Sequence, residues 1–135
     1  MILQKIVDNK RKEVEESKKL RPLSSFIAEV KKSNKDFENN IRRENVSDKV
    51  KIIAEYKRAS PSSGNFAEQK SLAEVLKIYN KYASALSILT DKKFFDGSLD
   101  DIKEASKLTT LPILRKDFII DEYQIYEARY YGADI

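Results

Sequence analysis

Val50-Lys51-Ile52-Ile53-Ala54-Glu55-Tyr56-Lys57, halted by Ser60-Pro61-Ser62-Ser63-Gly64, is the stretch on which the fold turns. An apolar, β-branched run followed by a cluster of turn formers reads as a strand and its stop. Downstream, Leu72, Val75, Leu76, Tyr79 and Tyr82 make one helical stripe, and Ala85-Leu86-Ser87-Ile88-Leu89 is a second short strand. Past the loop Thr90 to Gly97, Ser98 is placed to cap a helix through Leu99, Ile102, Ala105 and Leu108. Leu111-Pro112-Ile113-Leu114-Arg115 is a third strand. Asp121 then caps a helix through Ile125, Ala128 and Arg129 that Gly132 ends, and Ala133-Asp134-Ile135 reads as the first residues of a fourth strand. Strand–helix units repeating every ~25–30 residues predict an α/β fold with a parallel sheet. Three and a bit units cannot close an eightfold barrel, which takes about 250 residues. The choice is between a small open sheet and the front half of a barrel, and an ending inside a strand favours the barrel.

Upstream the texture is helical. Ile2, Leu3, Ile6, Val7 and Val14 recur at helical spacing up to about Lys19. Pro22 opens a predicted second helix with Leu23, Phe26, Ile27 and Val30 on one face. Residues 33–49 read as a polar arm with Phe37, Ile41 and Val46 as apolar anchors. The expected division is therefore an N-terminal helical extension over 1–49 and βα units over 50–135.

Composition narrows the chemistry. The 135 residues contain no His and no Cys, which excludes a Ser-His-Asp triad, a thiolate nucleophile, a disulfide framework and the ordinary His or Cys metal sites. Acid–base work must come from carboxylates, lysines or tyrosines. A hydrophobic fraction of 41% beside 36% charged residues fits a globular chain. No leader peptide and no run near the ~20 apolar residues of a membrane span is visible, so a soluble, cytoplasmic protein without a membrane partner is expected. The net charge of +4 lies in residues 1–49, with 13 Lys+Arg against 9 Asp+Glu; residues 50–135 hold 13 of each. No Arg-aromatic interleaving accompanies that excess, so it reads as a solvated helical face and no nucleic-acid partner is expected.

In parallel α/β folds ligands sit at the carboxyl ends of the strands. That directs attention to Glu55, Lys57 and Ser60, to Thr90–Gly97, and to Lys116–Phe118. The period of two puts Ile53, Glu55 and Lys57 on one face of the first strand. A carboxylate and an ammonium at a buried strand end are costly unless paired or used, so they are either an ion pair or a polar catalytic floor. Lys116 follows the apolar Ile113-Leu114. It is either a general acid whose pKa a partly dry site lowers, or a lysine that snorkels past the strand end. Phe94, Phe95 and Phe118 either fill core or ring the same mouth. Ser60–Gly64 offers hydroxyls and amides but lacks the P-loop pattern.

Together these segments resemble a known family. Ile53-Ala54-Glu55-Tyr56-Lys57-Arg58-Ala59-Ser60-Pro61-Ser62-Ser63-Gly64 is similar to the first-strand signature of the indole-3-glycerol phosphate synthases. Ala85–Thr90 running into Phe94-Phe95-Asp96-Gly97-Ser98, Pro112–Asp121 with Gln124–Ala128, and Tyr131-Gly132-Ala133-Asp134 resemble the family's next segments in order. The resemblance implies a (β/α)8 TIM barrel without metal or organic cofactor. The implied substrate is the phosphorylated small molecule 1-(2-carboxyphenylamino)-1-deoxyribulose 5-phosphate. The implied products are indole-3-glycerol phosphate, carbon dioxide and water. By the same resemblance Lys116 is the general acid, Glu55 assists proton transfer in the dehydration, and Lys57 binds the substrate's anionic groups. Ser60 then lines the substrate site, while Phe95 and Phe118 contact the anthranilate ring and hold reacting carbons together.

The family's later strands carry a further glutamate, an asparagine and the main phosphate loops, so little or no synthase activity is expected of residues 1–135 alone. A three-stranded piece of barrel would expose its edges and an inner face including Ile53, Ile88 and Leu114, which predicts self-association. Two other readings compete. One is a different phosphate-handling barrel, such as the neighbouring isomerase of the same pathway, which Glu55-Tyr56-Lys57 and Lys116-Asp117-Phe118 disfavour. The other is a non-catalytic, self-associating half-barrel.

Overall fold

The computed structural model describes residues 1–66 and 70–135. Its helices are α1 (Ile2–Leu20), α2 (Phe37–Ile41), α3 (Leu72–Tyr82), α4 (Lys92–Phe95), α5 (Leu99–Leu108) and α6 (Glu122–Tyr131). Its strands are β1 (Ile53–Tyr56), β2 (Ala59–Ser60), β3 (Gly64–Asn65), β4 (Ala85–Leu89) and β5 (Ile113–Lys116). β1, β4 and β5 form one parallel sheet in that order, with α3 and α5 in the connections, so the alternation read from the sequence holds.

Strand parity decides which side chains meet the helices. The register sets Tyr56 beside Ile88 and Ile88 beside Arg115. Ala54, Tyr56, Leu86, Ile88 and Ile113 therefore share the helix-facing side, where they pack with Leu72, Leu76, Ile102, Ala105 and Ala128. Burying each large aliphatic here contributes roughly 1.5–3 kcal/mol. The opposite face carries Ile53, Glu55, Ser87, Leu89, Leu114 and Lys116. Ile53 is 47% exposed and Leu114 half-buried on that side. Ile88 does not belong there. It lies three residues beyond Ala85, the partner of Ile53, so alternation turns it inward, and it is fully buried.

Helix ends follow local chemistry. Ser71 and Glu74 form a capping box at α3, Ser98 accepts from the Asp100 amide at α5, and Asp121 with Gln124 caps α6. Gly132 closes α6 at φ 109°, a conformation a Cβ would strain. Beyond it, the Asp134 amide donates to Ile113 O at 2.7 Å and the Arg115 amide donates to Ile135 O at 2.9 Å. β5 uses the carbonyls of Pro112 and Lys116 toward β4, so these bonds leave from its other edge and begin the alignment read for residues 133–135.

Several expectations change. The helix predicted after Pro22 is two single 3-10 turns, Leu23–Ser25 and Ile27–Glu29, split at Phe26. Phe26, at φ −138° and 1% exposed, leaves the helical path to pack edge-on against Tyr123 and Tyr130, while Ile27 stays in solvent. Val46 anchors nothing, being 96% exposed, whereas Asp36 caps the unforeseen turn of helix α2. The first strand starts at Ile53 rather than Val50, and Tyr82 falls off the buried stripe of α3. The Ser60–Gly64 stop is a tight hairpin joining β2 and β3. Among the described residues no helix is long and apolar enough to cross a membrane.

Candidate active site

β1 and β5 end level with β4, and the loops after all three converge. At that end a cavity of about 280 Å³ is lined by Glu55, Lys57, Leu89, Phe95, Lys116, Asp117 and Phe118. Five of the six residues singled out from the sequence are thus brought together. Glu55 and Lys57, two apart on one strand face, pair at 3.6 Å with about a third of each side chain still exposed. This is the ion pair anticipated as one alternative, and it leaves both groups accessible to a ligand. Phe95 and Phe118 face each other with ring centroids 6.3 Å apart and planes tilted by 36°. A flat aromatic ligand would find apolar surface on two sides.

Two readings need correction. Lys116 is exposed, not partly dry, at the last residue of β5 on the rim of the cavity. Ser60 does not line the cavity. Its hydroxyl oxygen accepts the Ser63 amide at 3.1 Å and lies 3.3 Å from Ser62 Oγ, so it serves the hairpin.

Beneath the cavity is a buried charge cluster that sequence reasoning missed. Lys10 of α1, 4% exposed, places Nζ 2.7 Å from Glu13, 2.9 Å from Asp91 and 3.0 Å from Asp117. Arg115 lies 3.1 Å from Asp117 and 3.0 Å from Glu127, and donates to the Gln124 carbonyl at 2.9 Å. The Thr90 hydroxyl donates to Asp117 at 2.7 Å. Burial alone would raise the Asp117 pKa, but Arg115, Lys10 and the Thr90 hydroxyl outweigh it and hold the carboxyl below its ordinary value. Burial opposes the Lys10 charge too, and Glu13, Asp117 and Asp91 outweigh it and push that pKa up. The signal was present: Ile6, Lys10 and Val14 stand four apart on the buried stripe of α1, and a cation within an apolar stripe requires buried anions.

Parallel βα units with ionisable side chains gathered at their carboxyl ends define the α/β class whose ligands bind at that end of the sheet. Within it, this chain belongs to the indole-3-glycerol phosphate synthase family, which matches residues 3–135. The indole-3-glycerol phosphate synthase of Caldanaerobacter subterraneus subsp. tengcongensis is 46% identical over 99% of this chain and 51% of its own length. That of Thermoanaerobacter pseudethanolicus is 44% identical, again over 51% of its length. The Tryptophan biosynthesis protein TrpCF of Buchnera aphidicola subsp. Diuraphis noxia is 44% identical over 98% of this chain and 28% of its own. The chain spans about half the length of the synthases it matches.

Proposed function

We propose that residues 50–135 supply the first three βα units of a (β/α)8 barrel that closes the indole ring of indole-3-glycerol phosphate, with residues 1–49 as its helical extension. The gathering of Glu55, Lys57 and Lys116 with Phe95 and Phe118 around one cavity carries this reading. In the reaction, the ring carbon bearing the carboxylate bonds to the ketone carbon while Lys116 donates a proton to the ketone oxygen. Carbon dioxide then leaves and its bonding pair restores the aromatic ring. The new hydroxyl departs as water with a proton from the adjacent carbon, a transfer Glu55 assists. Lys57 neutralises anionic substrate, and the phenyl rings hold the anthranilate ring against the carbonyl. Ser60 contributes the hairpin at the rim. The chemistry uses only protein side chains in a cytoplasmic enzyme.

Sequence that the synthase relatives have beyond this span would complete the phosphate grip, so residues 1–135 alone are expected to turn over little or no substrate. The test is steady-state formation of indole-3-glycerol phosphate by the intact gene product, its mass measured alongside. Turnover abolished by Lys116→Ala supports the assignment; turnover that survives the substitution overturns it, as does the absence of both turnover and substrate-analogue binding. A non-catalytic, self-associating role is the second reading, favoured by the exposed Ile53 and half-buried Leu114 on the open sheet face. A monomer by sedimentation over a wide concentration range would remove it.

A further inference from the structure

We propose that Lys10, on the first helix, is a positioning residue for the strand-end site, fixing Phe95, Lys116 and Phe118 through two buried aspartates. The claim rests on the reading above only for its effect on turnover. Its geometric content stands alone.

Lys10 bridges two separate strand-end turns. Asp91 follows β4, and its side chain, fully buried, pairs with Lys10 through Oδ2 while Oδ1 accepts the Phe94 amide at 2.8 Å. That amide belongs to α4, so the aspartate sets the start of the turn that delivers Phe95. Asp117 stands between Lys116 and Phe118. Its Oδ1 meets Lys10 and accepts the Phe118 amide at 2.8 Å, and its Oδ2 takes Thr90 and Arg115. Asp117 also lines two cavities, the strand-end one and a second of about 310 Å³ that Lys10 itself lines. One ammonium thus ties the Asp91 carboxylate of the β4 turn to the Asp117 carboxylate of the β5 turn, beside the direct bond from the Thr90 hydroxyl to Asp117. Arg115 reaches Asp117 and, through Nε at 3.2 Å, the Thr90 hydroxyl, whereas the cation paired with the Asp91 carboxylate is Lys10.

Docking of α1 as a whole is a different effect, and Lys18 separates the two. Lys18 pairs with Asp121 at 2.6 Å, tying the same helix to the N-cap of α6, and its ion pairs are with Glu15 and Asp121, not with Asp91 or Asp117. The experiment compares Lys10→Met and Lys18→Met in the intact gene product by kcat and KM at 25 °C. Amide hydrogen exchange at Phe94 and Phe118 is measured in parallel by NMR. Lys10→Met is expected to speed exchange at both amides and to lower kcat about 10- to 100-fold, since misplacing reacting groups by ~1 Å costs about that much. Lys18→Met is expected to leave both amides and kcat as in the parent while lowering thermal stability. Exchange at Phe94 and Phe118 unchanged in a folded Lys10→Met protein overturns the proposal, as does an equal response in Lys18→Met. Should Lys10→Met fail to fold, Asp91→Asn decides by the same readouts: it keeps the oxygen facing the Phe94 amide and removes the charge facing Lys10. If the parent shows neither turnover nor substrate-analogue binding, the synthase reading fails while amide exchange still decides the positioning claim.

Discussion

Gly97→Ala should be among the most damaging single-methyl additions in this chain. A Cβ at position 97 would lie 2.4 Å from the Leu89 carbonyl oxygen and 2.8 Å from both Leu89 C and Thr90 Cα. A carbon–oxygen contact settles near ~3.3 Å, so about 0.9 Å must be found. β4 is the middle strand and Leu89 is buried, so the Asp96–Gly97 turn must yield. Displacing it by that much carries the Gly97 amide from 2.9 Å to beyond bonding distance of the Asp91 carbonyl. Overpacking costs roughly 1–3 kcal/mol and the lost hydrogen bond about 1 kcal/mol, for a total of roughly 2–4 kcal/mol. The φ of Gly97 is outside the left-handed region, so the cost is steric, not conformational. With an unfolding entropy of about 0.28 kcal/mol/K for 135 residues, Tm should fall by roughly 7–14 °C. Circular-dichroism melts of parent and variant measure this directly. A Tm change below about 2 °C would refute the claim that the turn is clamped against the strand end.

Ser71→Ala removes one half of the capping box on α3 and should cost about 1 kcal/mol, read as a lower urea midpoint with an unchanged m-value. Acid should destabilise the fold. The Asp117 pKa is depressed in the folded state, so the unfolded chain binds the extra proton near its ordinary ~3.9, and the stabilisation present above ~pH 5 is lost as pH falls through the folded value. Urea unfolding at pH 7 and pH 3 should show this, and a slope below pH 5 that is no shallower in Asp117→Asn would remove Asp117 as its source.

The alternation of strands and helices was legible because each element carries its own period. The apolar run at Ile52-Ile53-Ala54, the stripe at Leu72, Val75, Leu76 and the caps at Ser98 and Asp121 all act locally. What escaped was decided by contacts between distant segments. Phe26 abandons a helical path for Tyr123, whose position depends on α6. Ile88 was placed on the wrong face because its side depends on counting within the strand rather than on its being apolar. At the site, Glu55, Lys57, Lys116, Phe95 and Phe118 could be picked out because strand ends are where ligands bind. Ser60 stands outside the strand-end cavity, its hydroxyl accepting an amide of its own turn, a local use that spacing alone does not reveal. Lys10 was overlooked because its anions, Asp91 and Asp117, are brought to it only by the folded sheet.

The partners of α1 lie far along the chain: Lys18 pairs with a residue 103 positions later, and Tyr123 donates to a carbonyl 106 positions earlier. During synthesis at ~5–20 residues per second, the helix would wait roughly 5–20 s before Asp121 and Tyr123 exist to receive it. For that interval a lysine destined for burial remains hydrated and the stripe of Ile6 and Val14 stays uncovered. The helix thus finds its place only after the βα units that follow it, and its arrival reports that the β4 and β5 turns are already in theirs.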